Sequence, residues 1–594
     1  MTIRKIYRWS VTPKSDEELT AQLAKDINVP ETIARILFNR NIKTYAQAKE
    51  YFRPQLSNLH DPFLMDGMEK AVDRIMRALD TREKILIFGD YDVDGTTSVA
   101  MFYLYLKKLD CEVLIHIPDR VTEGYGISLT GINKGKEFGA TLLISVDCGI
   151  TAVEQVEYAR SLGIDVIVCD HHEPGEQIPK AYAVLDPLIP NCSYPFKYLC
   201  GCGVTFKLIQ AIESRRGNSQ LANDFIDFVT LATTADIVPL VGENRIVTKI
   251  GLNRINTDPR PGIRALIESS GTQPGKISTG QIVFVLAPRI NAVGRMGDAS
   301  RAVQLLTSDD YETAKQFAQI LEEENRNRRK IDEDTFLKAQ ELVENLLDTE
   351  SGPAIVLHHE EWHPGVIGIV ASRLVEKYYK PTIMMTTVDG VAKGSARSIV
   401  GFDIHQALKR VEDKLIQFGG HKYAAGLAVA LDRVDEFREA FNIAVEELMS
   451  DEIRTPGLKI DAEISLSELT PRFLKILKEF APYGPSNMRP IFLARNVETV
   501  SPSKIVGKDH LRFRVRQNQY VLDAIGFGLG SLIEEVRESG KRIDLVFSVD
   551  EHEWITAGAS SGEAFPQLKI KDIRKHNTNN DQAIAPEITH VEGK

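Results

Sequence analysis

Residues 84–95 read KILIFGDYDVDG: an apolar run, Ile85 to Phe88, then Gly89, Asp90, Tyr91, Asp92, Val93, Asp94 and Gly95. A short β-prone run that stops at glycine and gives way to helical text, here TTSVAMFYLYLKKL, is how a strand buried on both faces of a parallel sheet reads. The same order recurs in CEVLIHIPD, TLLISVDCG and DVIVCDHH. Strand and crossover helix in alternation predict an α/β domain with a parallel sheet. The pattern reads on through FIDFVTLATTADIVPL to about residue 240.

Outward from that stretch the text changes character several times in 594 residues, as a chain too long for one core should. Residues 1–80 read as a cap of short helices: SDEELTAQLAKDI, PETIARILFNR, TYAQAKEYF and DGMEKAVDRIMRAL. The parallel-sheet domain is placed at 81–300. Residues 301–348 contain neither glycine nor proline and predict one long polar helix connecting two lobes. At 349–452, PAIVLHH, GVIGIVASRLVEKY, PTIMMTT and GVAKGSARS restart a smaller α/β domain. From 453 to 575 the runs are short and turn-separated, as in LKIDAEISL, HLRFRVRQ and YVLDAIGFG, which predicts a small β-barrel. The polar tail, 576–594, is expected to be disordered.

Composition removes several classes. A hydrophobic content of 43% excludes a disordered chain. No stretch approaches the ~20 apolar residues of a membrane span. The N-terminus is basic without an apolar region, so no signal peptide and a cytoplasmic address are expected. Six unevenly placed cysteines fit a reducing compartment. Cys200-Gly201-Cys202 is one residue too tight for a zinc knuckle and has no second pair downstream. With 72 basic and 83 acidic residues the net charge is −11, which disfavours indiscriminate polyanion binding and leaves room for a local basic groove. Glycine-rich dinucleotide and phosphate-loop motifs are absent, which argues against nicotinamide chemistry and ATP-driven translocation.

The carboxylates carry the chemistry. In open α/β sheets ligands bind at the C-terminal ends of strands, where Asp90, Asp92 and Asp94 fall. Alternate positions on an extended segment share one side, so the three are expected to converge on divalent cations. A calcium-loop reading fails because Met101 stands where that loop needs a glutamate. Asp147 ends the strand Leu142 to Val146, Asp170-His171-His172 ends the strand Ile164 to Cys169, and Asp236 reads as a fourth strand end. Singly, each is equally a helix cap or a surface histidine. Together at one sheet edge they suit two Mn²⁺ or Mg²⁺ ions better than zinc alone. Asp170 beside His171 is placed to orient its ring.

Asp170-His171-His172, with GDYDVDG, SVDCGI and TTADIVPL, resembles the DHH phosphoesterase superfamily. LAPRINAVGRM at 286–296, WHPGVIGIVASR at 362–373 and GGHKYAAG at 419–426 extend the resemblance to its RecJ family, over about residues 30–575. The resemblance implies a DHH domain joined by a helix to a DHHA1 domain, with a C-terminal oligonucleotide-binding (OB) barrel. It also implies a metal-dependent exonuclease that hydrolyses single-stranded DNA from the 5′ end to mononucleotides, in DNA repair and recombination. Asp92, Asp94, Asp147, His171 and Asp236 would then be metal ligands, with Asp90, Asp170 and His172 completing the catalytic set. One departure is Phe88, where many superfamily members carry a ligating histidine. The implied partners are single-stranded DNA, a single-strand-binding protein and a helicase, for a monomer without a membrane.

The substrate side has its own candidates. Arg289, Asn291 and Arg295 read as a glycine-containing loop after an apolar strand, and Arg397 as similarly placed; their guanidinium groups suit either phosphates or acidic neighbours. Gly419-Gly420-His421 fits a phosphate clamp, or a tight turn with an incidental histidine. Lys504, Lys508, His510, Arg512 and Arg514 are the barrel's candidates for tracking a strand. Two alternatives remain at this stage: a small-substrate DHH phosphodiesterase, whose relatives are about half as long, and an inactive DNA-binding scaffold, whose mark would be loss of these aspartates.

Overall fold

The computed structural model describes residues 6–13, 16–120, 122–218, 220–349, 352–538, 540–552 and 565–577. The expected disordered tail lies outside them from residue 578 onward. They form two compact units, neither continuous in sequence: 49–329 with 481–488, and 1–48 with 330–480 and 489–594.

The unit holding residues 84–95 is built on an all-parallel five-stranded sheet in the order Val113–His116, Lys84–Gly89, Ala140–Val146, Asp165–Cys169, Ala183–Leu185. The middles of its strands are mostly apolar because both faces are covered. Ile85 and Ile87 face one apolar layer with Leu142, Ile144 and Ile167, while Leu86 and Phe88 face the other with Leu143, Val166 and Val168.

Three expectations change in this unit. FIDFVTLATTADIVPL is no strand: Ile226–Ala235 is a helix, and Asp236 follows its end. All nine residues from Ile226 to Thr234 are buried, so the segment shows no polar face from which a helical period could be read. LAPRINAVGRM is likewise a helix, Ala287–Met296, entered through the π-helical turn Ile282–Leu286 rather than through a strand. The single connector becomes two helices, Ser300–Thr307 and Tyr311–Thr349; Ser308 is extended, and Asp310 Oδ1 accepts the Thr313 N–H at 2.8 Å to start the second.

The long helix serves each unit in turn. Ala314, Ala318 and Leu321 join the core of the first, and Ala339 and Val343 that of the second. The second unit contains a mixed sheet in the order Gln417–His421, Ala424–Ala430, Val391–Arg397, Thr382–Val388, Ile355–His358. Its barrel runs Phe492–Val506, His510–Gln517, Tyr520–Gly526, Phe565–Lys575, Arg542–His552, closed by pairing of the first strand with the last. The N-terminal cap is not purely helical: Arg8–Val11 is a strand, parallel to Gly457–Ile460, with Trp9 donating to Asp572 at 2.8 Å. No described helix is long and apolar enough to cross a membrane.

Candidate metal centre

Asp90 leaves the strand Lys84–Gly89, but the chain enters the helix Val93–Lys108 before the aspartate string ends. Asp92 caps that helix, its Oδ1 accepting the Gly95 N–H at 3.0 Å, and Asp94 lies in the first turn. The three carboxylates therefore do not share one side as alternation predicted. Asp90 and Asp92 gather with Asp147, whereas Asp94 gathers with His171 and Asp236.

Asp94 is held from behind by backbone. Its Oδ2 accepts the Gly201 N–H at 2.6 Å and its Oδ1 the Cys202 N–H at 2.8 Å. These groups open the helix Gly201–Arg216, where N–H donors lack intrahelical partners and the helix dipole favours a negative charge. Gly201 is required by space, since a Cβ there would lie 2.5 Å from both Cβ and Oδ1 of Asp147. The Cys-Gly-Cys string is thus a carboxylate cradle, a role that the sequence reading missed. The only local signal was a glycine just before helical text.

Asp147 adopts φ +63° directly after its strand, a left-handed conformation costing an L-residue about 1–2 kcal/mol. His171 Nε2 lies 3.2 Å from Asp147 Oδ1, 3.7 Å from Asp94 Oδ2 and 3.8 Å from Asp236 Oδ2. Oδ1 of Asp90 and Oδ1 of Asp147 are buried with no hydrogen-bond partner among the described residues. Burial, and after it a neighbouring carboxylate, pushes Asp90, Asp92, Asp147 and Asp236 above the usual carboxylate range. Burial also pushes His171 below the usual imidazole value, which favours the neutral ring with a lone pair to give.

Asp170 behaves differently. Burial would raise it, but the His172 ring and the Ile150 N–H hold it below the carboxylate range. Its Oδ1 lies 2.7 Å from His172 Nδ1; burial would lower that imidazole, and Asp170 instead lifts it to about 9. The ring that Asp170 orients is therefore His172, not His171 as expected, while His171 gives it its backbone N–H at 2.8 Å. Tyr125, not singled out from sequence, places its hydroxyl 3.3 Å from His172 Nε2. It lies on the loop before the helix Leu129–Phe138, which Glu123 ties down by contact with His116 at 2.9 Å and by accepting the Ser128 hydroxyl at 2.5 Å.

The arginine motif is mostly committed to the fold. Asn291 Oδ1 accepts the Val93 N–H at 3.1 Å, fixing the start of the helix Val93–Lys108. Arg289 is buried, paired with Glu322 at 2.5 Å and donating to the Val285 carbonyl at 2.6 Å. Arg295 lies close enough to the Tyr91 hydroxyl to counter the burial that lifts it to about 12. Arg120 covers the Tyr91 ring at 5.3 Å, a cation beside the site that sequence did not flag. Arg397, Gly419, Gly420 and His421 belong to the second unit. Arg397 and His421 both pair with Ala424, so they reach the same end of that sheet. Arg397 donates to Ser395 Oγ at 2.8 Å, and Gly420, at φ +140°, leaves no space for a Cβ beside Ala424.

The donor set fits two divalent cations. Hard carboxylates with the neutral imidazole of His171 suit Mn²⁺ or Mg²⁺, and the buried Asp90 and Asp147 oxygens that accept no hydrogen bond are available as ligands.

Three domain families match the chain. The DHH family, N-terminal domain, matches residues 84–233, the DHHA1 domain 351–447 and the RecJ OB domain 460–572. The chain is 37% identical over 569 residues to the single-stranded-DNA-specific exonuclease RecJ of Bacillus subtilis, covering 95% of this chain and 70% of that one. It is 33% identical over 560 residues to its namesake from Escherichia coli, covering 90% and 95%. The crystal structure of RecJ from Thermus thermophilus in complex with Mn²⁺ superposes with a TM-score of 0.81 at 28% identity, over 96% of this chain and 80% of that one.

Proposed function

Because the chain belongs to the RecJ family of single-stranded-DNA-specific exonucleases, we propose that its centre hydrolyses single-stranded DNA with two metal ions held by Asp90, Asp92, Asp94, Asp147, His171 and Asp236. The enzyme class, the metal dependence and the single-stranded substrate come with the family. The observation that carries the residue roles is the convergence of Asp147 with Asp90 and Asp92 on one side and with His171 on the other.

Bound cations would lower the pKa of a water nucleophile and stabilise the charge that builds up on the scissile phosphate. The protein's task is to hold those cations and to set the charge around them. The negative charge of Asp94 is met by the two N–H groups behind it. His171 stays neutral, adding a ligand without adding charge. His172, cationic at neutral pH through Asp170, is a proton donor beside the carboxylates, suited to steady a phosphate oxygen or protonate the leaving one.

Degradation runs 5′ to 3′ and releases mononucleotides, serving DNA repair and recombination. The second unit supplies phosphate contacts through Arg397, Gly419, Gly420 and His421, and the barrel tracks the strand. A single-strand-binding protein and a helicase expose the substrate to a monomeric enzyme. The test uses 5′- and 3′-labelled single strands with Mn²⁺, Mg²⁺ or chelator, comparing wild type with Asp147→Ala. Metal-dependent release of labelled mononucleotide from the 5′ end, lost in the variant, is expected. Initial release of the 3′ label would reverse the polarity, and cleavage of only very short oligomers would move the assignment to a small-substrate phosphodiesterase.

A further inference from the structure

Asp236 differs from the other candidate ligands in standing on a loop between two helices, Ile226–Ala235 and Gly242–Thr257, without a strand behind it. Ile237, next to it, has φ +60° and an exposed side chain. Something else must fix the loop. From one side Asn244 Nδ2 donates to the Pro239 carbonyl at 3.0 Å. From the other, the Leu240 N–H donates at 2.8 Å to the carbonyl of Pro485, far along the sequence.

Pro485 belongs to the eight residues 481–488, which pack in this unit although the chain on both sides of them belongs to the other. The segment is anchored along its length. Arg245 donates to the Ala481 and Pro482 carbonyls at 3.2 and 3.3 Å and lies 3.7 Å over the Tyr51 ring. Thr279 Oγ1 donates to the Tyr483 carbonyl at 2.7 Å. Asn487, 1% exposed, accepts the Tyr51 hydroxyl at 2.8 Å and donates to the Pro482 carbonyl at 2.7 Å. Gly484 lies against Leu240 so closely that a Cβ there would come within 2.5 Å of its Cδ1.

We propose that the strap Ala481–Met488 is a positioning element for the metal centre, in which Gly484 and Pro485 set the Asp236 loop through Leu240 and Asn487 keeps the strap folded. The inference rests on the reading of Asp236 as a metal ligand. Supporting residues behind a ligand typically change metal affinity by about 10- to 100-fold when altered. The strap meets the loop at Leu240, four positions past Asp236, so its effect on the carboxylate travels through the loop backbone.

The experiment measures Mn²⁺ binding directly, by the loss of the free-ion electron paramagnetic resonance signal, in the full chain as wild type, Asp236→Ala, Gly484→Ala, Asn487→Ala and the double variant Gly484→Ala with Leu240→Ala. Circular dichroism and thermal melting accompany each. Gly484→Ala is expected to weaken binding at one ion by about 10-fold with the chain still folded. Making room by Leu240→Ala should restore most of it, which a general loss of stability would not. Asn487→Ala, which adds no bulk, should weaken the same ion. If Asp236→Ala weakens Mn²⁺ binding and neither strap variant does, the strap is packing only and the inference falls while the ligand reading stands. If Asp236→Ala itself leaves binding unchanged, both fall together.

Discussion

Gly201 is a sharp test of the site at the scale of one residue. Alanine at the first turn of a helix favours the helix itself, so a local effect of Gly201→Ala would be neutral or stabilising. The structure places the new methyl against Asp147, and the outcome expected is a fall in kcat of about 100-fold, the scale of a roughly 1 Å displacement of a catalytic group, with an unchanged circular dichroism spectrum. Activity within a few-fold of wild type would mean that Asp147 moves freely. Asp236→Asn separates charge from shape. The carboxylate is raised by burial and by Asp94, so removing its charge should raise the melting temperature of metal-free protein while reducing the further rise on adding Mn²⁺. A lower metal-free melting temperature would count against the crowding of charge described here.

Among the elements, the helix Met68–Thr81 is fastened to the sheet by one buried cation. Arg74 is 3% exposed, donates to Asp165 at 2.6 Å and Glu83 at 2.7 Å, and also reaches the Thr141 carbonyl. Arg74→Ala strips Glu83 of that cation and leaves Asp165 with Arg77 at 3.4 Å, and is expected to cost about 1–3 kcal/mol in denaturant unfolding. Burial alone would raise Glu83, but hydrogen bonds from Thr141 and Arg74 hold it below its ordinary 4.5. A depressed acid stabilises the fold above the unfolded value and loses that contribution as the pH falls through the folded one. The melting-temperature gap between wild type and Glu83→Gln should therefore be full well above 4.5 and narrow as the pH falls below it. A gap independent of pH would exclude ionisation as its source.

These elements also divide what the sequence discloses from what it hides. Ile85 to Phe88 and Leu142 to Val146 announce themselves because a two-faced buried strand is a short apolar run between glycines and helices. Phe228 to Thr234 look the same for the opposite reason: a helix sunk in the core on every side has no polar stripe to reveal its period. Ser308 to Asp310 break the long helix with residues that are merely permissive of a break. Asp90, Asp147 and His171 were legible as strand-end groups, whereas the groups that hold Asp94, the N–H of Gly201 and Cys202, lie 107 and 108 residues away and act through the backbone, which no side-chain pattern records.

At the scale of the whole molecule, the clustered carboxylates make metal and fold interdependent. Mn²⁺ at about 100 times its dissociation constant should add about 2.7 kcal/mol to unfolding for each ion bound, and chelator should remove it, as followed by calorimetry with and without EDTA. No thermal shift with saturating metal would mean that the ligands are not preassembled. Discontinuity of both units makes a second demand. A chain shortened to end at residue 456 lacks the strap, the strand Gly457–Ile460 that pairs with Arg8–Val11, and the barrel that follows. It should melt at lower temperature, and equal melting would show that none of the three contributes.

The pairing of Arg8–Val11 with Gly457–Ile460 also imposes a timetable on the ribosome. At about 5–20 residues per second, the first strand emerges roughly 20–90 s before its partner has been synthesised. Throughout that interval Trp9, which ends 4% exposed, lacks the partner strand it is buried against, and an unpaired strand edge faces the neighbouring chains of a growing polysome. The strand Arg8–Val11 therefore stays an open edge for as long as synthesis takes to reach residue 457.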